Sequence, residues 1–260
     1  MIGVFDSGIG GLSVLRALRI ARPDAPVMYV ADTAYAPYGG REEAYLLDRS
    51  RRITQWLADR GATSIVVACN TATATAIDVL REQFPAIDFV GVEPGLKPAA
   101  STSRNGRIGV LATQATLRSA RYARLKLQIV EAATGIKPEF IDQGCPGLAD
   151  AIENRSDDLP ALLAKYCVPL IAAGADTVVL GCTHYPLVHD EIRATVGNQV
   201  HIVDTSDAVA RRAASRHPRM EPEARLGALE LLTSGSTDAL TDAARIWIHR
   251  DCAPATHLTA

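Results

Sequence analysis

The stretch Ser64-Ile65-Val66-Val67-Ala68-Cys69-Asn70-Thr71 is an apolar, β-branched run that ends in a cysteine and two small polar residues. It is echoed by Asp176-Thr177-Val178-Val179-Leu180-Gly181-Cys182-Thr183. A short apolar run without polar alternation reads as a strand buried on both faces, the kind found in parallel sheets. A second pair repeats in the same order, Ile2-Gly3-Val4-Phe5-Asp6-Ser7 and Ile108-Gly109-Val110-Leu111-Ala112-Thr113. The two pairs are separated by nearly the same length of chain, so the sequence reads as two similar α/β units in tandem. The plainer explanation is that any two buried parallel strands look alike. It does not account for the shared cysteine and its polar tail.

Working outward from these runs, strands are expected at 2–5, 27–31, 64–68, 89–92, 108–111, 139–142, 177–180 and 200–203. Helical patterns fill the intervals at 12–21, 42–60, 73–83, 116–133, 160–173 and 186–196. Beyond 203 the chain reads as wholly helical, with its best runs at 207–216 and 238–249. Alternation of this kind predicts an α/β protein of two pseudo-symmetric domains, each a mostly parallel sheet flanked by helices. Residues 1–94 with 206–260 would form one, and 95–205 the other. Ligands of open α/β sheets bind beyond the carboxyl ends of the strands, so the expected site is a crevice between the domains, with Cys69 on one wall and Cys182 on the other.

Composition narrows the class. Of 260 residues, 48% are hydrophobic and 22% charged, ordinary for a well-packed protein. With 27 basic and 29 acidic side chains, a net charge of −2 gives no basic surface for nucleic acid or an anionic membrane. No apolar run approaches the roughly 20 residues a membrane helix needs, and no charged segment followed by an apolar core precedes Ile2. Five scattered cysteines are an odd number in a chain too long to depend on disulfides. A reduced, cytoplasmic setting is expected.

The chemistry concentrates at predicted strand ends. Cys69 stands between a strand and a helix, where free N–H groups and the helix dipole favour a thiolate. Asn70 and Thr71 add donors suited to a carboxylate. A buried structural cysteine is the competing reading. Cys182 lies in Gly181-Cys182-Thr183-His184-Tyr185-Pro186, with an imidazole two residues from the thiol. His184 could exchange a proton with it, activate it as a hydrolytic nucleophile, or join both cysteines in a metal site. No CxxC or HxxxH spacing supports the metal. Asp6, Ser7 and Gly8 follow the first strand, but Gly8, Gly10 and Gly11 fit neither GxGxxG nor GxxxxGK[ST], which argues against nucleotide binding. Asp6 could orient a proton-transfer partner or bind an ammonium, or merely cap the next helix. Asp32, Thr33, Pro37, Tyr38 and Gly39 form a polar turn after the second strand, a usual place for binding residues. Thr113 and Thr116 could hold a carboxylate or cap a helix. Cys145, Cys167 and Cys252 have no comparable setting and read as structural.

Four segments in order carry a resemblance: Gly3-Val4-Phe5-Asp6-Ser7-Gly8-Ile9-Gly10-Gly11-Leu12, Pro37-Tyr38-Gly39, Ala68-Cys69-Asn70-Thr71-Ala72, and Gly181-Cys182-Thr183-His184-Tyr185-Pro186-Leu187. With weaker matches around Glu93-Pro94-Gly95, Gly106–Val110 and Val203-Asp204-Thr205, the sequence resembles the glutamate racemases, within the aspartate/glutamate racemase family. The resemblance implies racemisation of glutamate without cofactor or metal, for bacterial cell-wall peptidoglycan, by a homodimeric cytoplasmic enzyme. It makes Cys69 and Cys182 the proton-transfer pair, with Asp6 assisting the first and His184 and Glu153 the second. Ser7, Pro37, Tyr38, Gly39, Asn70, Thr71, Thr113, Thr116 and Thr183 would hold the substrate. The run Gly147-Leu148-Ala149-Asp150-Ala151-Ile152 before Glu153 departs from the apolar, proline-containing run the family leads one to expect. Aspartate racemases share the two-cysteine scheme but typically lack His-Tyr-Pro after the second Cys-Thr, which favours glutamate. Outside this family, the residues also allow a Cys182–His184 hydrolase or a two-lobed protein that binds a carboxylate without catalysis.

Overall fold

A computed structural model describes residues 1–216, 227–248 and 252–258. The chain divides into two compact units, Met1–Val92 with Ser206–Ala260, and Glu93–Thr205. In chain order the described strands are β1 (Ile2–Asp6), β2 (Val27–Ala31), β3 (Ser64–Val67), β4 (Asp88–Gly91), β5 (Arg107–Ala112), β6 (Glu139–Gly144), β7 (Thr177–Gly181), β8 (His201–Val203), β9 (Leu229–Thr233) and β10 (Thr256–His257). The first unit holds a six-stranded sheet in the order β10-β9-β2-β1-β3-β4, the second a four-stranded sheet in the order β6-β5-β7-β8. Every pairing in both is parallel.

The repeat read from the sequence is a repeat of topology. In each unit the first strand pairs with the second on one side and the third on the other, and the fourth pairs with the third. Within each unit, β1 and β5 therefore occupy equivalent positions, and so do β3 and β7, whose ends carry Cys69 and Cys182. All residues of β1, β2, β3 and β7 are buried, which explains their unbroken apolar runs. Gly3 and Gly109 lie where helices press closest. A Cβ on Gly109 would come 2.8 Å from Leu170 Cδ1, and one on Gly3 would come 3.0 Å from Leu57 Cδ1.

The expectation of a wholly helical tail is wrong. β9 extends the first sheet beside β2, in register from Val27–Leu229 to Ala31–Thr233. Leu229-Glu230-Leu231-Leu232 favours a helix locally, and pairing to β2 overrides that weak preference. The expected helices there are observed as Ser206–Arg216 and Thr237–Ile248, and residue 249 lies outside the described residues. Other boundaries moved for local reasons. The helix expected at 116–133 is two, Gln114–Arg118 and Ala120–Ala132, because Ser119 is extended (ψ 141°). Its Oγ donates to Thr116 O and accepts from Tyr122 N, ending one helix and starting the next. The run 186–196 begins as a 3₁₀ turn, Tyr185–Val188, before the helix His189–Val196. Helices Leu96–Thr102 and Leu148–Glu153 were too short to announce themselves by periodicity.

Asp176, just before β7, shows how loops at the opposite edge of the sheet are tied down. Its carboxylate accepts from Ser103 Oγ (2.6 Å), Thr177 Oγ1 (2.9 Å) and the backbone N–H groups of Arg104 (2.7 Å) and Asn105 (2.9 Å). Partial burial pulls its pKa up, but these donors outweigh it and hold the carboxyl below the usual range. A depressed pKa contributes stability that is complete above the unfolded value of about 3.9 and lost as pH falls through the folded value. Asp176→Ala should therefore cost about 1–2 kcal/mol at pH 7. In urea titrations the gap to wild type should close as pH falls below about 4; a gap independent of pH would contradict this account.

Candidate active site

In the first unit the site begins with Asp6, the fully buried last residue of β1. Its Oδ1 accepts from Gly8 N (2.7 Å) and Ser7 Oγ (3.1 Å), and Tyr29 Oη donates to Gly8 O (2.8 Å). The glycine-rich segment thus wraps around a carboxylate of its own chain. A Cβ on Gly11 would lie 2.8 Å from Asp6 Cβ and 2.9 Å from Tyr29 Oη, so no larger residue fits there unless the site opens. Gly11, not Asp6, stands at the N-cap of the helix Leu12–Ala21, so Asp6 does not cap it.

Cys69 caps the helix Asn70–Gln83, which starts three residues earlier than its periodicity suggested. Its Sγ accepts from Ala72 N at 3.5 Å and reaches Ser7 Oγ at 3.8 Å. Sulfur, hydroxyl and the Asp6 carboxylate form a relay, and the helix N-terminus favours negative charge on the sulfur. Asn70 and Thr71 are buried beside it. Asn70 Nδ2 donates to Val92 O (3.3 Å), while its buried Oδ1 has no hydrogen-bond partner among the described residues. A buried acceptor left open in this way suits a ligand donor such as an ammonium.

The turn after β2 is braced by buried side chains. Tyr38 is buried and donates its hydroxyl to Asp32 Oδ2 (2.6 Å), so that group braces the turn. Burial first, then the charge of Asp32, raise the Tyr38 pKa far above its ordinary value and keep it a donor. Pro37 is exposed and Gly39 half-buried. Arg49 completes the arrangement, donating Nε to Asp32 Oδ2 (3.0 Å) and Nη2 to Oδ1 (2.8 Å). Sequence reasoning passed over Arg49 inside the basic run Asp48-Arg49-Ser50-Arg51-Arg52. The available signal was its place on the helix face shared by Leu46, Ile53 and Leu57, where an ionised side chain needs a partner.

In the second unit Cys182 follows β7 and is buried. Gly181 allows its strand to approach β5: a Cβ there would meet Leu111 O at 2.8 Å. Cys182 Sγ lies 3.7 Å from His184 Nδ1, and His184 Nε2 lies 2.7 Å from Glu153 Oε2. Despite the departure of its run, Glu153 stands at the end of the helix Leu148–Glu153 and meets the imidazole. Burial alone would lower the His184 pKa, but the hydrogen bonds to Cys182 and Glu153 outweigh it and hold the value well above normal. Thr183 is buried next to Cys182. Thr113 caps the helix Gln114–Arg118, accepting from Thr116 N (3.2 Å), with the two hydroxyls 2.9 Å apart. Burial pushes the Cys145 thiol up to about 12 and that of Cys167 up to about 11, so both stay protonated and inert, as structural cysteines do. Among the described residues no group of three or more His, Cys, Asp and Glu has the arrangement of a metal site.

Each of the two α/β units, built on an all-parallel sheet, carries a buried cysteine just beyond an inner strand with acid/base groups beside it, an arrangement typical of enzyme sites. The chain belongs to the Asp/Glu/Hydantoin racemase family, whose model matches residues 13–213. It is 46% identical over 240 residues to the glutamate racemase of Herpetosiphon aurantiacus, covering 90% of this chain and 92% of that one. Among solved structures it is similar to a Bacillus anthracis glutamate racemase (27% identity, TM-score 0.84, 100% of this chain and 97% of the other). It is also similar to the Escherichia coli glutamate racemase in complex with L-glutamate and an activator (30% identity, TM-score 0.83, 95% of this chain and 94% of the other).

Because the His184 pKa is raised, the stabilisation from its pair is complete below about pH 6.5 and lost as pH rises through the folded value. Imidazole titration by NMR should find His184 still protonated at pH 7, and Glu153→Gln should shift its titration downward. An unchanged titration in that variant would mean the 2.7 Å contact carries no charge.

Proposed function

We propose that this protein racemises glutamate without a cofactor, with Cys69 and Cys182 as the two proton-transfer groups. The observation that carries this reading is the matched pair of strand-end cysteines in a chain of this family, each with different support: Ser7 and Asp6 for one, His184 and Glu153 for the other. Glutamate is the substrate in the names of the relatives described above, and the Escherichia coli one holds L-glutamate in its structure.

Inverting a stereocentre by proton transfer requires removing the α-proton on one face and delivering a proton to the other. One sulfur starts as thiolate and the other as thiol, and they exchange these roles with the direction of reaction. Cys69, at a helix N-terminus, is suited to hold the thiolate unaided by a base. Cys182 works beside an imidazolium, which stabilises the thiolate when Cys182 is the base and can return a proton to the sulfur after Cys182 has acted as the acid. An ordinary turnover of about 10 per second corresponds to a barrier near 16 kcal/mol, so the carbanion must lie below that. Ser7, Thr71, Thr113, Thr116 and Thr183, together with backbone N–H groups of the turn at Tyr38 and Gly39, hold the two carboxylates, and Asn70 Oδ1 accepts from the ammonium. They stabilise enolate-like charge with donors fixed before the reaction starts. The reaction takes place in the cytoplasm, in a homodimer, and supplies D-glutamate for bacterial cell-wall peptidoglycan.

Cys69→Ala and Cys182→Ala should each lower glutamate racemisation by about 10³-fold or more, the scale of an acid/base group, with circular dichroism unchanged. Near wild-type turnover in either would end the two-thiol reading. During turnover in D₂O, solvent deuterium should enter the α-position of the product from both enantiomers. Product that keeps its original hydrogen would point to a route other than exchange with the thiols.

A further inference from the structure

Residues 33–40, which include Tyr38 and Gly39, have little order of their own. Their internal bonds are those of two short 3₁₀ turns: Tyr35 N to Asp32 O (3.0 Å), Ala36 N to Thr33 O (3.3 Å) and, closing the second turn, Arg41 N to Tyr38 O (3.1 Å). The segment is fixed from outside, at two places. On one side Asp32, fully buried, takes the forked donation of Arg49 and the hydroxyl of Tyr38, while the Arg49 guanidinium lies 3.5 Å from the centre of the Tyr35 ring. On the other side the turn after β9 clasps the same segment. Thr233 Oγ1 meets Thr33 Oγ1 at 2.8 Å, and Ala34 N donates to Ser234 Oγ at 3.1 Å. Gly235 is what lets the two turns touch, since a Cβ there would lie 2.3 Å from Thr33 Oγ1.

Stability alone does not explain these contacts. A buried ion pair contributes little beyond what apolar residues of equal volume would supply, but each of its hydrogen bonds fixes an orientation. Arginine is the cation that can donate a planar fork and stack on a ring at once. The hydroxyl pair between Thr33 and Thr233 joins residues 200 positions apart, at the strand edge where ligands bind.

We propose that Arg49 and Thr233 are positioning residues for the substrate. Acting through Asp32 and Thr33, they hold the turn 33–40 ready, so that glutamate does not have to order it on binding. The C-terminal strand β9 is on this account part of the binding apparatus. The proposal rests on the racemase reading above and adds to it a function for residues that touch neither sulfur.

The test compares wild type with Thr233→Val, which keeps shape and loses the hydroxyl, and Arg49→Lys, which keeps charge and loses fork and stack. KM should rise about fivefold or more in Thr233→Val, which loses both the contact with Thr33 and the bond accepted from Gly235 N (3.0 Å), and further in Arg49→Lys, while kcat stays within about twofold. Hydrogen exchange at the Tyr35 and Ala36 amides should accelerate in both. If Arg49→Lys does not fold, Thr233→Val decides alone. A folded Thr233→Val with wild-type KM and wild-type exchange overturns the proposal, as does a loss confined to kcat. Wild-type protein inactive on glutamate would sink the racemase reading instead, and exchange would then decide the clasp by itself.

Discussion

In a parallel sheet every strand ends on the same edge, and the peptide groups beyond that edge are free to bind something. The rest of this molecule follows from that constraint. β1, β2, β3 and β9 deliver Asp6, Asp32, Cys69 and Thr233 to one edge of the first sheet. β5 and β7 deliver Thr113 and Cys182 to the corresponding edge of the second. The opposite edges carry tethers such as Asp176. Because the strands are buried on both faces, most of their residues are spent on packing, and chemistry gathers at the last residue of each strand and the few that follow.

The two cysteines occupy equivalent places in the strand order but are supported by different physics. Cys69 relies on a helix terminus, a backbone N–H and a hydroxyl leading to a buried carboxylate. Cys182 is followed by a 3₁₀ turn instead, and an imidazole backed by a carboxylate stands in for the missing dipole. The gene of such a protein can repeat a fold without repeating its electrostatics. What is conserved between the halves is where the sulfur stands, not how its charge is managed.

The strand-end residues were legible because burial and chemistry leave different marks on adjacent positions: an apolar run, then Cys-Asn-Thr or Cys-Thr-His. The equivalence of β1 with β5 and of β3 with β7 was legible through the repeat, while the pairing order was not. β9 was not, because Leu229-Glu230-Leu231-Leu232 carries no strand signal until β2 stands next to it. Arg49 was hidden in a run of charges, where only helix phase separates the buried arginine from its exposed neighbours Arg51 and Arg52. Tyr38 was found for its place, but its partner was not, since its hydroxyl goes to Asp32. Side-chain partners drawn from distant segments are the part that local pattern cannot supply.

The asymmetry of support has a thermodynamic limit. Enantiomers have equal free energies in water, so kcat/KM for the proposed reaction must be equal in the two directions, however different the two thiols are. Unequal surroundings can divide that common ratio into different kcat and KM values for each enantiomer, but can never favour one product at equilibrium. A donor that binds both enantiomers alike, as the turn at 33–40 would, changes the common ratio through KM alone. A group that bears on one sulfur, as His184 does, changes how the ratio is divided as well as its size. The clasp and the acid/base relays are thus different kinds of device even though each lies beyond the carboxyl ends of its own sheet's strands.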